Sequence, residues 1–209
     1  MVDKAALKKK VEELAVRKWD EAGIQARIDK MRAEGIPRKN LKPEELLANR
    51  EQILDRVQSR AEEYNFMLKN CAQGTALALM EEFGQGNMDV LQALALFPGI
   101  GSTGDLCGGI TGSMINFGLF FGRYGKPGPE GMMQGMAAAQ KFIAEFQEKL
   151  GFKHCIDIIE NVTVGLRLNP GRSSEEMETF AREKGFEKCS LVPGTGARLA
   201  AGYMIDSLK

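Results

Sequence analysis

Glycine is the residue type that most constrains how this chain folds. It contributes 24 of the 209 residues, and 12 of these glycines lie between positions 99 and 135. Soluble proteins contain about 7% glycine on average. Because glycine tolerates positive φ angles and lets two backbones approach closely, this stretch is predicted to have an unusual local backbone.

The overall composition excludes several classes of protein. The chain has 28 basic and 28 acidic side chains, so it has no net charge to attract nucleic acid or an anionic membrane. Its 44% apolar residues are enough for a sizeable core, which excludes disordered and fibrous proteins. The first residues form no apolar signal segment, and no uninterrupted apolar run reaches the roughly 18 residues of a membrane span. We therefore expect a cytoplasmic protein that binds no nucleic acid and does not insert into a membrane.

Charged residues divide the chain into two parts. Residues 1–70 hold 29 of the 56 charged side chains, whereas residues 71–135 hold seven. In the first part, apolar residues recur at three- and four-residue steps until Gly35 and Pro37 end the pattern, and a break is expected near Gly23. A second stripe follows Pro43. We predict a long, charged, amphipathic helical hairpin over residues 1–58, ahead of a helical domain over residues 59–209.

The remaining sequence also has helical patterns. Asn70 and Asn87 are predicted helix caps, and an apolar segment after the glycine-rich turn predicts a buried helix that ends near Gly122. Further helices are predicted over residues 139–150, 173–185 and 199–208. Only residues 161–168 resemble a strand. The sequence therefore predicts an all-α protein built as a compact helical bundle.

Two familiar signatures carry no chemistry in this context. The segment from Gly99 to Gly104 fits G-x-G-x-x-G, but it follows a helical segment and a proline instead of a strand, so dinucleotide binding is not predicted. A phosphate-binding loop is excluded because no lysine lies between Lys69 and Lys126. The single histidine, His154, cannot form a histidine-rich metal site by itself.

The candidate chemical residues are the four cysteines, Cys71, Cys107, Cys155 and Cys189. Cys71 follows a predicted helix cap and Cys107 follows the glycine-rich turn, so both are expected near positive helix starts, where thiolates are favoured. Thiolates bind soft metals and iron–sulfur clusters and carry out disulfide exchange. The chain contains no C-x-x-C pair, so the spacing alone leaves open that the cysteines are ordinary buried residues.

The N-C-A-Q segment at residues 70–73 and the glycine-rich segment 99–112 resemble the C_GCAxxG_C_C family of redox-active proteins. That family has four cysteines and a CGAxxG motif. The resemblance continues to Cys189 and covers roughly residues 60–209. Gly109 stands where the family motif has alanine, and the charged hairpin lies outside the usual family length.

This resemblance implies a redox-active helical protein that binds an iron–sulfur cluster. A related domain of the split-Soret cytochrome carries such a cluster in a dimer, and four thiolates suit a 2Fe-2S cluster in preference to 4Fe-4S. No covalent haem is implied, because C-x-x-C-H is absent. The metal ligands implied are Cys71, Cys107, Cys155 and Cys189. The resemblance implies no other site residues. If the four cysteines converge, the backbone amides of Gly101, Gly104 and Gly108 can approach and hydrogen-bond to sulfur, so we expect these glycines to bind the cofactor. A homodimer and a protein redox partner are further expectations.

Three hypotheses for function remain open at this point. The leading one is electron transfer or redox sensing by a cluster packed against apolar residues, namely Phe117, Phe120, Phe121, Met132, Met133 and Met136. The second is a metal-free dithiol protein in which Cys107 is the low-pKa attacking thiol. The third treats the cysteines as core residues and the hairpin as the binding surface of an adaptor in a redox complex. For the methionines themselves, core filling is the expected role. The sequence identifies no substrate and leaves open a role as an oxidoreductase component.

Overall fold

The fold consists of helices joined by short turns. The structure is a computed structural model that describes residues 2–209. In chain order its α-helices are α1 (Lys4–Val16), α2 (Glu21–Glu34), α3 (Pro43–Ala48), α4 (Arg50–Leu68), α5 (Cys71–Phe83), α6 (Met88–Ala93), α7 (Gly99–Ser102), α8 (Gly108–Tyr124), α9 (Pro129–Leu150), α10 (Cys155–Ile158), α11 (Ser174–Arg182), α12 (Gly185–Lys188) and α13 (Leu191–Asp206). A 3-10 helix covers Leu94–Leu96 and a π-helix covers Ile159–Thr163. Residues 2–209 contain no strand, so the predicted all-α class is confirmed. None of these helices combines the length and the apolar character that a membrane span requires.

The N-terminal hairpin has two breaks, the first of them close to the one expected near Gly23. Its first arm is divided between Val16 and Glu21. Asp20 begins α2 there, because its carboxylate accepts a hydrogen bond from the N–H of Gly23 (3.1 Å). The second arm is divided at Asn49, whose side-chain amide donates to a carbonyl of the preceding turn (2.9 Å). Polar side chains that bond to the local backbone therefore interrupt both arms.

Helix α4 connects the hairpin to the central core. It packs against α5 and α13, and both of these helices pack against α8. Ile53, Leu54 and Val57 of α4 are at most 5% exposed and belong to the same apolar cluster as the central helices. Burial of one such side chain stabilises the fold by roughly 1.5–3 kcal/mol. The division of the chain at residue 58 stays a prediction, and the apolar core is continuous on both sides of it.

Polar caps begin two helices where the sequence predicts them. The Asn70 side chain accepts a hydrogen bond from the N–H of Gln73 (3.0 Å), and α5 ends at Gly84 with a φ of 60°. Asn87 caps α6 in the same way (2.9 Å). These local signals place Cys71 at the first residue of a long helix.

The predicted strand at residues 161–168 is wrong. The chain continues from α10 into the π-helix and then turns. Its hydrogen bonds are local, since the N–H of Val164 donates to the carbonyl of Ile159 (2.9 Å), five residues back. β-Branched residues produced the strand signal, but residues 2–209 supply no neighbouring strand with which they can pair.

The methionines of α9 lie outside the core, contrary to the expectation. Met132, Met133 and Met136 expose 59%, 67% and 55% of their surface. Two of them, Met132 and Met136, line an open groove of about 680 Å³ between α8 and α9. Their side chains are therefore available at the surface rather than used as core filling.

Candidate four-cysteine site

All four cysteines lie at or just before the start of a helix. Cys71 is the first residue of α5, Cys107 is the N-cap of α8 and Cys155 is the first residue of α10. Cys189 directly precedes the N-cap of α13. Helices α5, α8 and α13 are long, and their free N-terminal N–H groups favour negative charge. The backbone thus provides surroundings in which a negative sulfur is stabilised.

A short antiparallel bridge brings Cys107 and Cys155 to the same side of the backbone. Leu106 pairs with His154, and the N–H groups of Cys107 (3.0 Å) and Cys155 (2.7 Å) donate the flanking hydrogen bonds. Each cysteine follows its paired residue by one position, so both side chains point to the face opposite Leu106 and His154. Diagonal neighbours of this kind lie about 7–8 Å apart.

Gly108 allows Cys71 to pack against the start of α8. A Cβ atom at Gly108 would lie 2.2 Å from Cys71 Sγ and 2.6 Å from the backbone nitrogen of Ala72. One turn later, a Cβ atom at Gly112 would lie 2.4 Å from the carbonyl oxygen of Ala72. The backbones of α5 and α8 therefore approach closely, and this approach holds Cys71 beside Cys107.

The other two glycines predicted to bind the cofactor lie in the preceding turn. Gly104 packs on the side chain of Ile156, next to Cys155, and a Cβ atom there would lie 3.1 Å from Ile156 Cβ. Gly101 has open space around its Cβ position. Gly99 comes closer to a cysteine, since its Cβ position lies 3.4 Å from Cys155 Sγ. Cofactor binding by these glycines stays a prediction.

Backbone strain marks the turn that covers Cys155. Ile100 and Ser102 have φ angles of 47° and 60°, a region that side chains disfavour and that is an outlier for a β-branched residue such as isoleucine. The Asn169 side chain holds this turn in place, because its amide donates to the carbonyl of Ser102 (2.6 Å). A conformation of this kind persists only where its surroundings impose it.

Cys71 and Cys107 form a hydrogen-bonded pair of unequal acidity. The Cys107 thiol donates to Cys71 and lowers the pKa of Cys71 in spite of burial, and the N–H groups of Gly108 and Ala72 act in the same direction. That hydrogen bond, burial and the Cys71 charge raise the pKa of Cys107 well above its ordinary value. These directions favour Cys71 over Cys107 as the thiolate of the pair, in contrast to the expectation that Cys107 is the low-pKa thiol.

Cys155 and Cys189 favour the protonated thiol. Burial raises the pKa of Cys155, and the charges of Cys71 and Cys189 raise it further. Burial raises the pKa of Cys189 to about 12, and a hydrogen bond with Thr163 acts against this increase. Because the charge of Cys71 acts on the other three sulfur atoms, the four cysteines form one electrostatic group.

The four cysteines supply sulfur, the ligand type of soft metal ions and of iron–sulfur clusters. Within residues 2–209, no group of three or more His, Cys, Asp or Glu side chains is arranged to hold a single metal ion. An iron–sulfur cluster distributes its cysteine ligands over several iron atoms, so its thiolates lie farther apart than the ligands of one ion. Four cysteines are the usual ligands of such clusters. Four cysteine thiols are therefore a donor set of the type that an iron–sulfur cluster uses.

The aromatic and methionine residues expected around the cofactor lie elsewhere. Phe117, Phe120 and Phe121 begin about three turns along α8 from Cys107, and they pack on one another. The groove that Met132 lines contains none of the four cysteines. The expectation of a cluster packed against these residues is therefore wrong.

His154 lies at the rim of the site and faces carboxylates. Its side chain is 44% exposed, with Nε2 3.8 Å from Asp105 Oδ1 and Nδ1 3.7 Å from Asp157 Oδ2. In the described part of the chain it belongs to no group of three metal-binding side chains.

An all-α fold that gathers four thiols at helix starts defines a helical protein with a cysteine site. The sequence model of one family, described as "Putative redox-active protein (C_GCAxxG_C_C)", matches residues 69–203. This range covers well over half of the chain and includes all four cysteines, so the protein belongs to this redox-active family. The comparisons with curated proteins and with solved structures give no match.

Sequence reasoning missed two residues of the site. Thr163 contacts Cys189, but it lay in a segment with a strand-like pattern. Asn169 holds the strained turn, but an asparagine in a loop carries no signal for a partner 67 positions away. Both contacts depend on the packing of distant segments.

Proposed function

We propose that this protein is a redox protein whose four cysteines bind an iron–sulfur cluster, 2Fe-2S in preference, for electron transfer or redox sensing. The observation that carries the proposal is that the charge of Cys71 acts on the sulfur atoms of Cys107, Cys155 and Cys189, which come from separate elements. Cysteines that serve only as core residues are not expected to lie close to one another. A bound cluster would supply one-electron chemistry.

The surroundings of the sulfur atoms support this proposal. A cluster with four thiolate ligands carries net negative charge, and the starts of α5, α8 and α13 provide N–H groups that favour it. The N–H of Gly108 donates directly to Cys71. Without a metal, three of the four thiols favour their protons, so metal binding would release protons from the site.

The access to the site also supports electron exchange with another molecule. Cys71, Cys155 and Cys189 are partly exposed, whereas Cys107 is buried. The cofactor would therefore lie near the surface on one side. Electron transfer to a protein partner at this side is part of the proposal.

The first test is the visible spectrum of protein purified without oxygen, together with iron and acid-labile sulfide per chain. We expect a brown protein with near-stoichiometric iron and sulfide. Cys155→Ser should lose iron, since it removes a soft ligand while keeping the shape. Ser113→Ala is the control, because Ser113 is a buried residue of α8 whose hydroxyl bonds to the carbonyls of Gly109 (2.7 Å) and Gly196 (3.4 Å) and to no cysteine.

Two results would contradict the cluster. One is protein that stays colourless and free of iron after anaerobic reconstitution with iron and sulfide. The other is a Cys155→Ser variant that is folded by circular dichroism and keeps the iron content of the control.

A metal-free dithiol is the second candidate, and the direct hydrogen bond between Cys71 and Cys107 favours it. In this reaction the Cys71 thiolate attacks a disulfide of a partner protein, and Cys107 then attacks the mixed disulfide. One S–S bond forms in this chain and one breaks in the partner, and the partner receives two electrons and two protons. Peptide mass spectrometry after oxidation would detect a bond between Cys71 and Cys107, whereas a cluster protein would lose iron first.

A homodimer is also part of the proposal. The exposed Met132, Met133 and Met136 of α9 supply an apolar surface of the kind that protein interfaces use. Light scattering on the purified protein gives the mass directly. A monomer at micromolar concentration, unchanged when the protein is concentrated, would refute the dimer.

A further inference from the structure

The hydroxyl of Thr163 lies against a sulfur atom, whereas the hydroxyls of Thr75, Thr103, Thr111 and Thr195 bond to backbone carbonyls. Thr75, Thr103 and Thr195 each donate to the carbonyl four residues earlier, at 2.8, 3.0 and 2.8 Å. This return to the helix backbone is the usual bond of a helical threonine. Thr163 instead has its hydroxyl 3.3 Å from Cys189 Sγ, 26 residues away in the sequence.

The π-helix explains this difference. The carbonyl four residues before Thr163 belongs to Ile159, and it already accepts hydrogen bonds from the N–H groups of Val164 (2.9 Å) and Gly165 (3.2 Å). The wider turn of a π-helix produces this pattern, and such turns are frequent at functional sites. With its local acceptor occupied, the Thr163 hydroxyl is directed across to the cysteine site.

Cys189 is the hydrogen-bond partner of the buried Thr163 hydroxyl. Thr163 is only 5% exposed, so water does not replace the contact. Within residues 2–209 its hydroxyl makes no other hydrogen bond. A buried hydroxyl that faces a sulfur ligand donates its proton to the sulfur when that sulfur is a thiolate.

We propose that Thr163 is a positioning residue that donates a hydrogen bond to the Cys189 sulfur and thereby raises the reduction potential of the cofactor held there. This inference rests on the proposed function. Hydrogen bonds to ligand sulfur withdraw electron density and favour the reduced, more negative state of a cluster. Thr163 would thus act on electron transfer without being a ligand.

The test compares three variants. Thr163→Val keeps the shape and removes the hydroxyl, Thr163→Ser keeps the hydroxyl, and Thr195→Val makes the same substitution where the hydroxyl bonds only within its helix. The readouts are iron content, the midpoint potential from an anaerobic optical titration, and unfolding by urea. We expect Thr163→Val to keep its iron and to shift to a lower potential, while Thr163→Ser and Thr195→Val stay near the wild type.

A second readout works without any cluster and separates the two proposals. In reduced, metal-free protein, the rate at which iodoacetamide labels Cys189 is followed by peptide mass spectrometry. Thr163→Val should slow labelling by about 2- to 10-fold, the effect of one net hydrogen bond on the thiolate. Thr163→Ser should restore the rate.

Specific results would overturn the role of Thr163. Equal potentials of the wild type and Thr163→Val at equal iron content would do so, as would equal labelling rates of Cys189 in these two proteins. A Thr163→Ser variant that matches Thr163→Val would also overturn it, because shape would then explain the effect. If the protein is free of iron and Thr163→Val still slows the labelling of Cys189, the cluster is refuted and the hydrogen bond is established.

Discussion

Replacing Gly108 by alanine should destabilise the protein and disturb the cysteine site. The added Cβ atom would lie 2.2 Å from Cys71 Sγ, 2.6 Å from the nitrogen of Ala72 and 3.0 Å from the carbonyl carbon of Cys71. Contacts below about 3 Å require movement, and two of these three atoms belong to the backbone. Helices α5 and α8 therefore have to separate where Cys71 meets Cys107.

The magnitude follows from the cost of overpacking a buried contact. One extra methyl group in a tightly packed core costs about 1–3 kcal/mol. Alanine has the higher helix propensity, by up to about 1 kcal/mol, but Gly108 is the first residue of α8, where that gain is smallest. We expect a net loss of about 1–3 kcal/mol in the free energy of unfolding, or about 2–12 °C in the melting temperature for a chain of this size.

Gly118→Ala is the matched control in the same helix. The Cβ position of Gly118 has no atom within 4 Å, and its φ is not positive. The substitution therefore adds helix propensity without a clash and should stabilise the protein by about 0.5–1 kcal/mol. The same chemical change in one helix is thus expected to have opposite effects at two positions.

Urea unfolding followed by circular dichroism measures both variants, and labelling of Cys71 by iodoacetamide reports on the site. We expect Gly108→Ala to unfold at lower urea and to label Cys71 faster, with wild-type labelling in Gly118→Ala. The reasoning would fail if Gly108→Ala were as stable as the wild type. It would also fail if the two variants changed stability in the same direction.

Three other perturbations test separate parts of the fold. Asp206→Asn removes the double hydrogen bond with Arg50 (3.1 and 2.8 Å) and should cost at most about 1 kcal/mol, because the pair is partly exposed. The Arg50 hydrogen bond lowers the pKa of Asp206. The stabilisation by this ion pair is therefore fully present above the ordinary aspartate pKa of about 3.9 and is lost as the pH falls below it. In urea unfolding, the difference between Asp206→Asn and the wild type should be smaller at pH 3 than at pH 7. Asn65→Ala removes the buried amide that donates to Ser190 Oγ (2.9 Å), and we expect the free energy of unfolding in urea to fall by about 1–3 kcal/mol. An unchanged free energy of unfolding would refute this role of Asn65. Deletion of residues 1–58 removes Val57 and its buried neighbours, so we expect a less stable cysteine domain by thermal unfolding, and an unchanged melting temperature would show that the hairpin is independent.

Local signals predicted the elements that local chemistry decides. Asn70 and Asn87 cap helices because each side chain bonds to a backbone N–H three residues later, which needs nothing outside the segment. The break in the first arm was expected near Gly23 and lies between Val16 and Glu21, whereas the break at Asn49 was missed although it uses the same chemistry.

The proximity of Cys71, Cys107 and Cys155 could not be derived from their spacing. It depends on α5 and α8 approaching at Gly108 and on the bridge between Leu106 and His154, contacts between segments that lie far apart in the sequence. The glycine-rich segment signalled an unusual backbone but did not indicate which helix would use it. The family resemblance supplied the expectation that the cysteines act together.

The order of acidity within the site depends on details that a sequence does not contain. Cys107 was expected to be the thiolate because it begins a helix after a glycine-rich turn. Cys71 also begins a helix, and it receives hydrogen bonds from the Cys107 thiol and from the N–H of Gly108. Since Cys107 donates its proton to this bond, two cysteines in similar local positions acquire opposite shifts in pKa. A helix start therefore identifies a candidate thiolate, and the neighbouring donors decide which candidate becomes one.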